Sequence, residues 1–254
     1  MLVEPPATRA DIQWRLFGFP VRVSPWFWVA CVILGWNGAP TLDQLVVWTG
    51  CVFVAILVHE LGHALVARKF GARGGRIVLY SFGGLAINGG GLKRWQRIVE
   101  CLAGPGAGFL LYGALWLTTR LVLDPTVMSS LAQDALHYME FVCLWWGLVN
   151  LLPVYPLDGG QVAHELFLWR RPHDGLGLAL KFGIGAAGLV TIGFGYLWYA
   201  GVTSGLPAIL FAVLGLNNYF MLRALRTGAL GAEVGGYDAG RREAWEQDPD
   251  WWKA

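Results

Sequence analysis

Six apolar stretches, at about residues 25–37, 45–66, 98–119, 136–155, 180–200 and 206–222, govern what this chain can fold into. Several approach the ~20 residues that a helix needs to cross a bilayer, though the first is short. In lipid, open strands leave backbone N–H and C=O groups unsatisfied, so these stretches are expected as helices. Charge is sparse enough to agree. Of 254 residues 14% are charged and 56% hydrophobic, with mean hydropathy +0.49, whereas soluble domains carry about 25% charged residues. That argues against disorder, a collagen-like fibre and an ordinary cytosolic enzyme. Fourteen Trp and 35 Gly suit lipid, since Trp gathers at membrane interfaces and Gly is common in spanning helices.

Between the second and third stretches lies Gly74 to Gly91, whose β-branched and aromatic residues are bounded and split by glycines. It reads as a hairpin. The expected class is therefore an all-α polytopic membrane protein of about six transmembrane helices with a short membrane-associated β-hairpin. Three parts follow: an N-terminal arm over 1–23, a membrane-embedded domain over 24–222 and a polar, Gly-rich tail over 223–254. No cleavable signal peptide is expected, because the first apolar run begins only near Ser24. With six spans, eighteen Lys and Arg fall on one side and only Arg120 on the other. The positive-inside rule then sets both termini in the cytosol of a multi-pass protein of the cell membrane.

A net charge of +2 without a basic run longer than two residues gives no sign of a nucleic-acid partner. Cys31, Cys51, Cys101 and Cys143 stand singly in apolar surroundings, without Cys-x-x-Cys spacing, and read as small buried apolar residues.

The second stretch contains His59-Glu60-Leu61-Gly62-His63. Residues four apart share a helix face, so two imidazoles can meet one Zn²⁺ at about 2.0–2.1 Å. Glu60, beside the first of them, is placed to take a proton from the attacking water. Two His and a Glu inside a membrane helix are costly unless they act together, which weighs against two core histidines held by neighbours. Catalytic zinc sites use three protein ligands, so a third is needed. Asp158 is the candidate, in Asn150-Leu-Leu-Pro153-Val-Tyr-Pro156-Leu-Asp158-Gly-Gly160. There Pro153 and Pro156 interrupt a helix, and Gly159 and Gly160 permit a sharp reversal. Taken alone, the Asp would be an ordinary Asp-Gly turn; beside the histidine pattern, ligation is the better reading.

HELGH in a spanning segment, then FGG, then NLLPVYPLDGG, resembles the site-2 protease family of intramembrane zinc metalloproteases, over roughly residues 15–170. The opening FGFPVRVSPWFW also resembles the first strand and helix of its compact branch. The resemblance implies zinc held by His59, His63 and Asp158, with Glu60 as catalytic base. It further implies Asn150 beside the reacting carbonyl, and Phe82, Gly83 and Gly84 in a hairpin that holds an extended substrate. The implied substrates are membrane proteins with a transmembrane helix, met in the lipid bilayer. The helix would unwind locally and pair with the hairpin edge over Ile77–Ile87. Where many relatives carry Ala-Gly-Pro-Leu-Ala-Asn, this chain has Ala103-Gly104-Pro105-Gly106-Ala107-Gly108, so no role of that Asn carries over, while close helix packing on small residues does. No room is expected for a PDZ domain between His63 and Asp158, or for a CBS pair after the last span.

Three weaker patterns are read as structural. Gly183-Ile-Gly185-Ala-Ala-Gly188 lies inside a span without a preceding strand, which suits helix packing better than a nucleotide. His164-Glu165 has Leu168 where a second metal ligand would stand, leaving His164 as an interfacial residue. His137 and Glu140 could form an ion pair or a water-facing polar spot. The alternative function is a non-proteolytic zinc-binding membrane protein, for metal transport or as a helix-binding pseudoprotease. Glu60 argues against it, because such a site needs no base.

Overall fold

The computed structural model describes residues 6–36, 41–81, 83–89, 91–122, 128–171 and 174–227. Within them the order is β1 (Ile12–Leu16), β2 (Phe19–Val23), α1 (Pro25–Gly35), α2 (Leu42–Lys69), β3 (Arg76–Tyr80), β4 (Gly83–Ile87), α3 (Arg94–Leu121), α4 (Ser130–Asn150), α5 (Asp158–Arg170), α6 (Gly175–Tyr199) and α7 (Leu206–Arg226). Of the tail expected over 223–254, the part from residue 228 lies outside the described residues. The chain forms two compact units, residues 1–92 with 102–149 and residues 93–101 with 150–254.

The first unit is built on one mixed sheet in the order β1-β2-β3-β4. β1 and β2 form a hairpin whose two-residue turn, Phe17-Gly18, has positive φ at both positions (50° and 86°). That backbone matches the natural strand twist. Arg68, at the end of α2, donates to the Phe17 carbonyl at 2.7 Å and lies over the Phe19 ring at 4.5 Å. β2 and β3 run parallel, Val21 opposite Ile77 and Val23 opposite Leu79. The chain between them makes α1 and α2, the crossover that parallel pairing demands. Alternate residues Phe19, Val21, Val23, Ile77 and Leu79 pack against Phe27 and Cys31 of α1 and Val52, Ala55 and Ile56 of α2. Arg22 makes an ion pair with Asp11 at 3.1 Å.

The sheet thus has four strands where one hairpin and a single opening strand were expected. The β3–β4 hairpin is present, with Tyr80 opposite Gly83 and Arg76 opposite Ile87. The N-terminal stretch adds a second, because the Phe17-Gly18 turn folds it back on itself.

In the second unit α5, α6 and α7 pack in sequence. The stretch between α4 and α5 leaves the helical path, as its two prolines require. Its local bonds run from the Val154 N–H to the Leu152 carbonyl (2.7 Å) and from the Leu157 N–H to the Val154 carbonyl (2.8 Å). Gly159 and Gly160 differ from expectation. They are helical, in the first turn of α5, and neither has positive φ. What they provide is close approach: a Cβ on Gly159 would strike the Leu151 carbonyl oxygen, and one on Gly160 would stand 2.5 Å from the Tyr155 nitrogen.

Among the described residues, four helices are long and apolar enough to cross a membrane: α2, α3, α6 and α7. The apolar α1 has 11 residues, too few to span alone. α4 has 21, but Gln133, Asp134, His137 and Glu140 dilute its N-terminal half.

α2 is closed at its start by a reciprocal cap. The Thr41 hydroxyl accepts from the Gln44 N–H, and the Gln44 side chain accepts from the Thr41 N–H. Arg68 and Lys69 complement the dipole at the other end. Thr41→Ala is expected to cost about 1 kcal/mol and to lower the thermal midpoint by about 2–4 °C; a melt of the detergent-purified protein, followed by circular dichroism, measures it.

Candidate metal centre

α2 carries His59, Glu60 and His63 into the interior of the first unit, and all three are buried. One helical turn separates the imidazoles, whose rings lie 4.8 Å apart at 78°. Their Nε2 atoms come within 3.2 Å of each other. Two nitrogens at 2.0–2.1 Å from one tetrahedral ion stand about 3.3 Å apart, so the pair fits zinc as it stands.

Three glycines make room for this cluster. A Cβ on Gly84, in β4, would stand 2.5 Å from Oε1 of Glu60. The sheet's edge strand therefore lies directly on the carboxylate. A Cβ on Gly104, in α3, would collide with Nε2 of His63, and one on Gly62 would collide with the Ala103 carbonyl oxygen. The Ala-Gly-Pro run of α3 thus packs its backbone against the histidine turn of α2, the close contact its small residues lead one to expect. Gly83 rests against Trp146 of α4, a Cβ there meeting the ring at 3.6 Å. Phe82 lies outside the described residues.

In the second unit Asp158 is the first residue of α5 and is buried. His59 and His63 in the first unit and Asp158 in the second each offer one atom of a kind that zinc takes, two imidazole nitrogens and a carboxylate oxygen. A neutral imidazole pair with one carboxylate is a donor set that zinc accepts. Asn150, buried, closes α4.

The weaker patterns resolve as packing. His164 and Glu165 lie on α5, where Glu165 faces Arg97 at 3.8 Å and Arg94 donates to the Leu168 carbonyl at 2.5 Å. Burial pushes the His164 pKa down, and Arg97 and Arg94 push it further. Burial raises that of Glu165 against the pull of the same two arginines. Glu140 accepts a hydrogen bond from Thr119 at 3.1 Å, so the polar spot on α4 is tied to α3 and not to His137. Gly183 packs on Asn218 and the Pro153 carbonyl, while Gly185 and Gly188 face open space. All four cysteines are buried and free. Sequence reasoning missed Gly62, whose signal was its smallness inside the ligand turn, whereas Gly104 lies in the small-residue run already expected to pack closely.

Comparison with known proteins gives a consistent picture. Over 193 residues the chain is 35% identical to Rip3 of Mycobacterium tuberculosis, a protein that carries the name of a zinc metalloprotease, covering 68% of this chain and 46% of that one. Over 162 residues it is 28% identical to stage IV sporulation protein FB of Bacillus subtilis, covering 63% and 52%. The chain spans about half the length of these curated relatives. No family model matches the sequence. Among solved structures, the site-2 protease of Methanocaldococcus jannaschii superposes with a TM-score of 0.59 at 22% identity, covering 82% of this chain and 94% of that one, and so shares the fold.

Gly104→Ala sets a methyl group against His63 and is expected to weaken zinc binding roughly 10–100-fold, as loss of ligand support does elsewhere. Competition for zinc against a chromogenic chelator measures the change.

Proposed function

We propose that this chain, which belongs to the site-2 protease family of intramembrane zinc metalloproteases, hydrolyses a peptide bond in the transmembrane segments of membrane-protein substrates. The observation that carries the reading is the burial of a paired-imidazole site and a carboxylate, Glu60, directly beneath an edge strand. A transport or structural site has no use for that carboxylate or for the strand.

His59, His63 and Asp158 are the zinc ligands in this proposal, supported by their donor chemistry and by the 3.2 Å approach of the two Nε2 atoms. Zinc, when bound, supplies a Lewis acid that polarises the scissile carbonyl and makes water more acidic. Glu60 takes the proton of the attacking water on its carboxylate and returns it to the leaving amine. Asn150 serves as a polar neighbour of the reacting carbonyl.

A substrate helix hides its amides in its own hydrogen bonds and has to unwind before attack. β4 stands at the end of the sheet order, so its outer edge can replace the lost bonds by strand addition. Gly83 and Gly84 belong to that receiving segment. Suitable substrates are spanning helices weakened by Gly, Pro or polar residues.

The arrangement in the membrane follows the charges: six spans, both termini cytosolic, an arm over 1–23, a protease domain over 24–222 and a tail over 223–254. The Lys/Arg-rich end of α2 is six residues from His63, which sets cleavage toward the cytosolic side.

Glu60→Gln is expected to keep zinc at the wild-type stoichiometry and to lower the cleavage rate of a model spanning peptide roughly 10²–10⁴-fold. Unchanged cleavage would overturn the assignment of Glu60, and zinc absent from both proteins would remove the site itself. Gly84→Ala displaces the Glu60 side chain from above. It should lose cleavage without losing zinc, read from metal content and peptide turnover on the same sample.

A further inference from the structure

We propose that Asn218, in the middle of α7, is a positioning residue for Asp158: its carboxamide holds the Tyr155 carbonyl and thereby fixes the turn that delivers Asp158 to the start of α5. The inference rests on the reading of Asp158 as a zinc ligand.

Asn218 is fully buried, with none of its surface exposed, in a helix apolar enough to cross the membrane. A carboxamide in such a place is expensive unless it satisfies another polar group. Its Nδ2 donates twice, to the Tyr155 carbonyl at 2.5 Å and to the Leu214 carbonyl of its own helix at 2.8 Å. Two carbonyl acceptors fix which end of the amide faces the turn, because only Nδ2 can donate. The Leu214 bond braces the side chain; the Tyr155 bond reaches across to a different segment.

The Tyr155 carbonyl belongs to backbone broken out of the helical ladder, where each acceptor needs a donor from elsewhere. Its neighbours obtain theirs locally: the Val154 carbonyl from the Leu157 N–H, and the Pro156 carbonyl from the Gln161 side chain at 3.2 Å. For Tyr155 the donor comes from α7. Little slack lies between this anchor and the carboxylate. Gly160 packs so closely on Tyr155 that a Cβ would stand 2.5 Å from its nitrogen, and Gly159 packs as closely on the Leu151 carbonyl. Moving Tyr155 therefore moves the first turn of α5, of which Asp158 is the first residue.

α6 completes the clamp. A Cβ on Gly183 would stand 2.7 Å from Oδ1 of Asn218 and 3.3 Å from the Pro153 carbonyl oxygen. Glycine there lets α6 close on the amide and the turn together. The Gly183-x-Gly185 pattern thus acquires a specific use at its first position.

The test uses the full-length protein in detergent or nanodiscs. Asn218→Leu removes the donor at similar volume, Asn218→Asp removes it at the same shape, and Gly183→Ala displaces the intact amide. Each variant is compared with wild type for zinc affinity by chelator competition, for the visible spectrum after loading with Co²⁺ alone, and for kcat and KM on a spanning peptide. The expected result is a roughly 10–100-fold loss of zinc affinity, an altered Co²⁺ spectrum, and a fall in kcat with KM within about twofold, at unchanged helix content. A merely structural role would leave the spectrum of the folded variants as in wild type. Wild-type zinc affinity and spectrum in folded Asn218→Leu or Asn218→Asp would overturn the inference. Should both fail to fold, Gly183→Ala decides on the same readouts. Asp158→Ala, measured in parallel, separates the two readings: if it keeps full zinc affinity, the ligand assignment and this inference fall together. If it loses affinity while the Asn218 and Gly183 variants do not, only the positioning role fails.

Discussion

Lipid makes an unpartnered imidazole, carboxylate or carbonyl expensive, and the rest of this structure is arranged around that cost. α2 buries His59, Glu60 and His63 within five residues of a chain that is only 14% charged. Two imidazoles with their Nε2 atoms 3.2 Å apart would repel if both carried protons. A cation held by the two neutral rings would remove the repulsion.

The same constraint gives the glycines beside the cluster their use. Gly62, Gly84 and Gly104 each stand where a Cβ would strike the histidine turn, Glu60 or the facing backbone. Main chain approaches the site from α3 on one element and from β4 on another. Backbone that comes this close brings no side-chain donor to compete for the ligands. It also holds the imidazoles in place by contact, since a packed interior does not deform continuously.

The motif-bearing parts of this architecture were legible in the sequence because their chemistry is local. The apolar runs, the His59–His63 spacing and the β3–β4 glycines each follow from residues a few positions apart. What was not legible depends on pairing at a distance. β1 and β2 join the sheet through β3, some fifty residues later, and nothing within residues 12–23 announces that partner. α5 lies in a stretch expected to lie outside the membrane, and its Gly159-Gly160 start masks a helix, because glycine's usual meaning is a turn. There the glycines answer to the packing of Leu151 and Tyr155, a tertiary demand that overrides propensity. Asn218 was invisible for the same reason. A lone amide in an apolar run looks like tolerated polarity until the broken turn it serves is seen.

The edge strand carries the final step. β4 reads Gly-Gly-Leu-Ala-Ile, and two glycines weaken the register of any strand they occupy. For a strand that only completes a sheet this is a defect. For the proposed hydrolysis it is useful, because the incoming segment has just left a helix and arrives with no fixed side-chain pattern to match. Strand addition rests on main-chain bonds, which all sequences share, and specificity then lies in which spanning helices can unwind. Gly84 couples that generality to the chemistry: the position that leaves the strand permissive is the one whose missing side chain admits Glu60. A receiving edge with bulkier residues would read its substrates more strictly and would also close over the base. In the proposed hydrolysis Gly84 therefore serves twice, sharing with Gly83 the permissive pairing and alone giving room to the carboxylate.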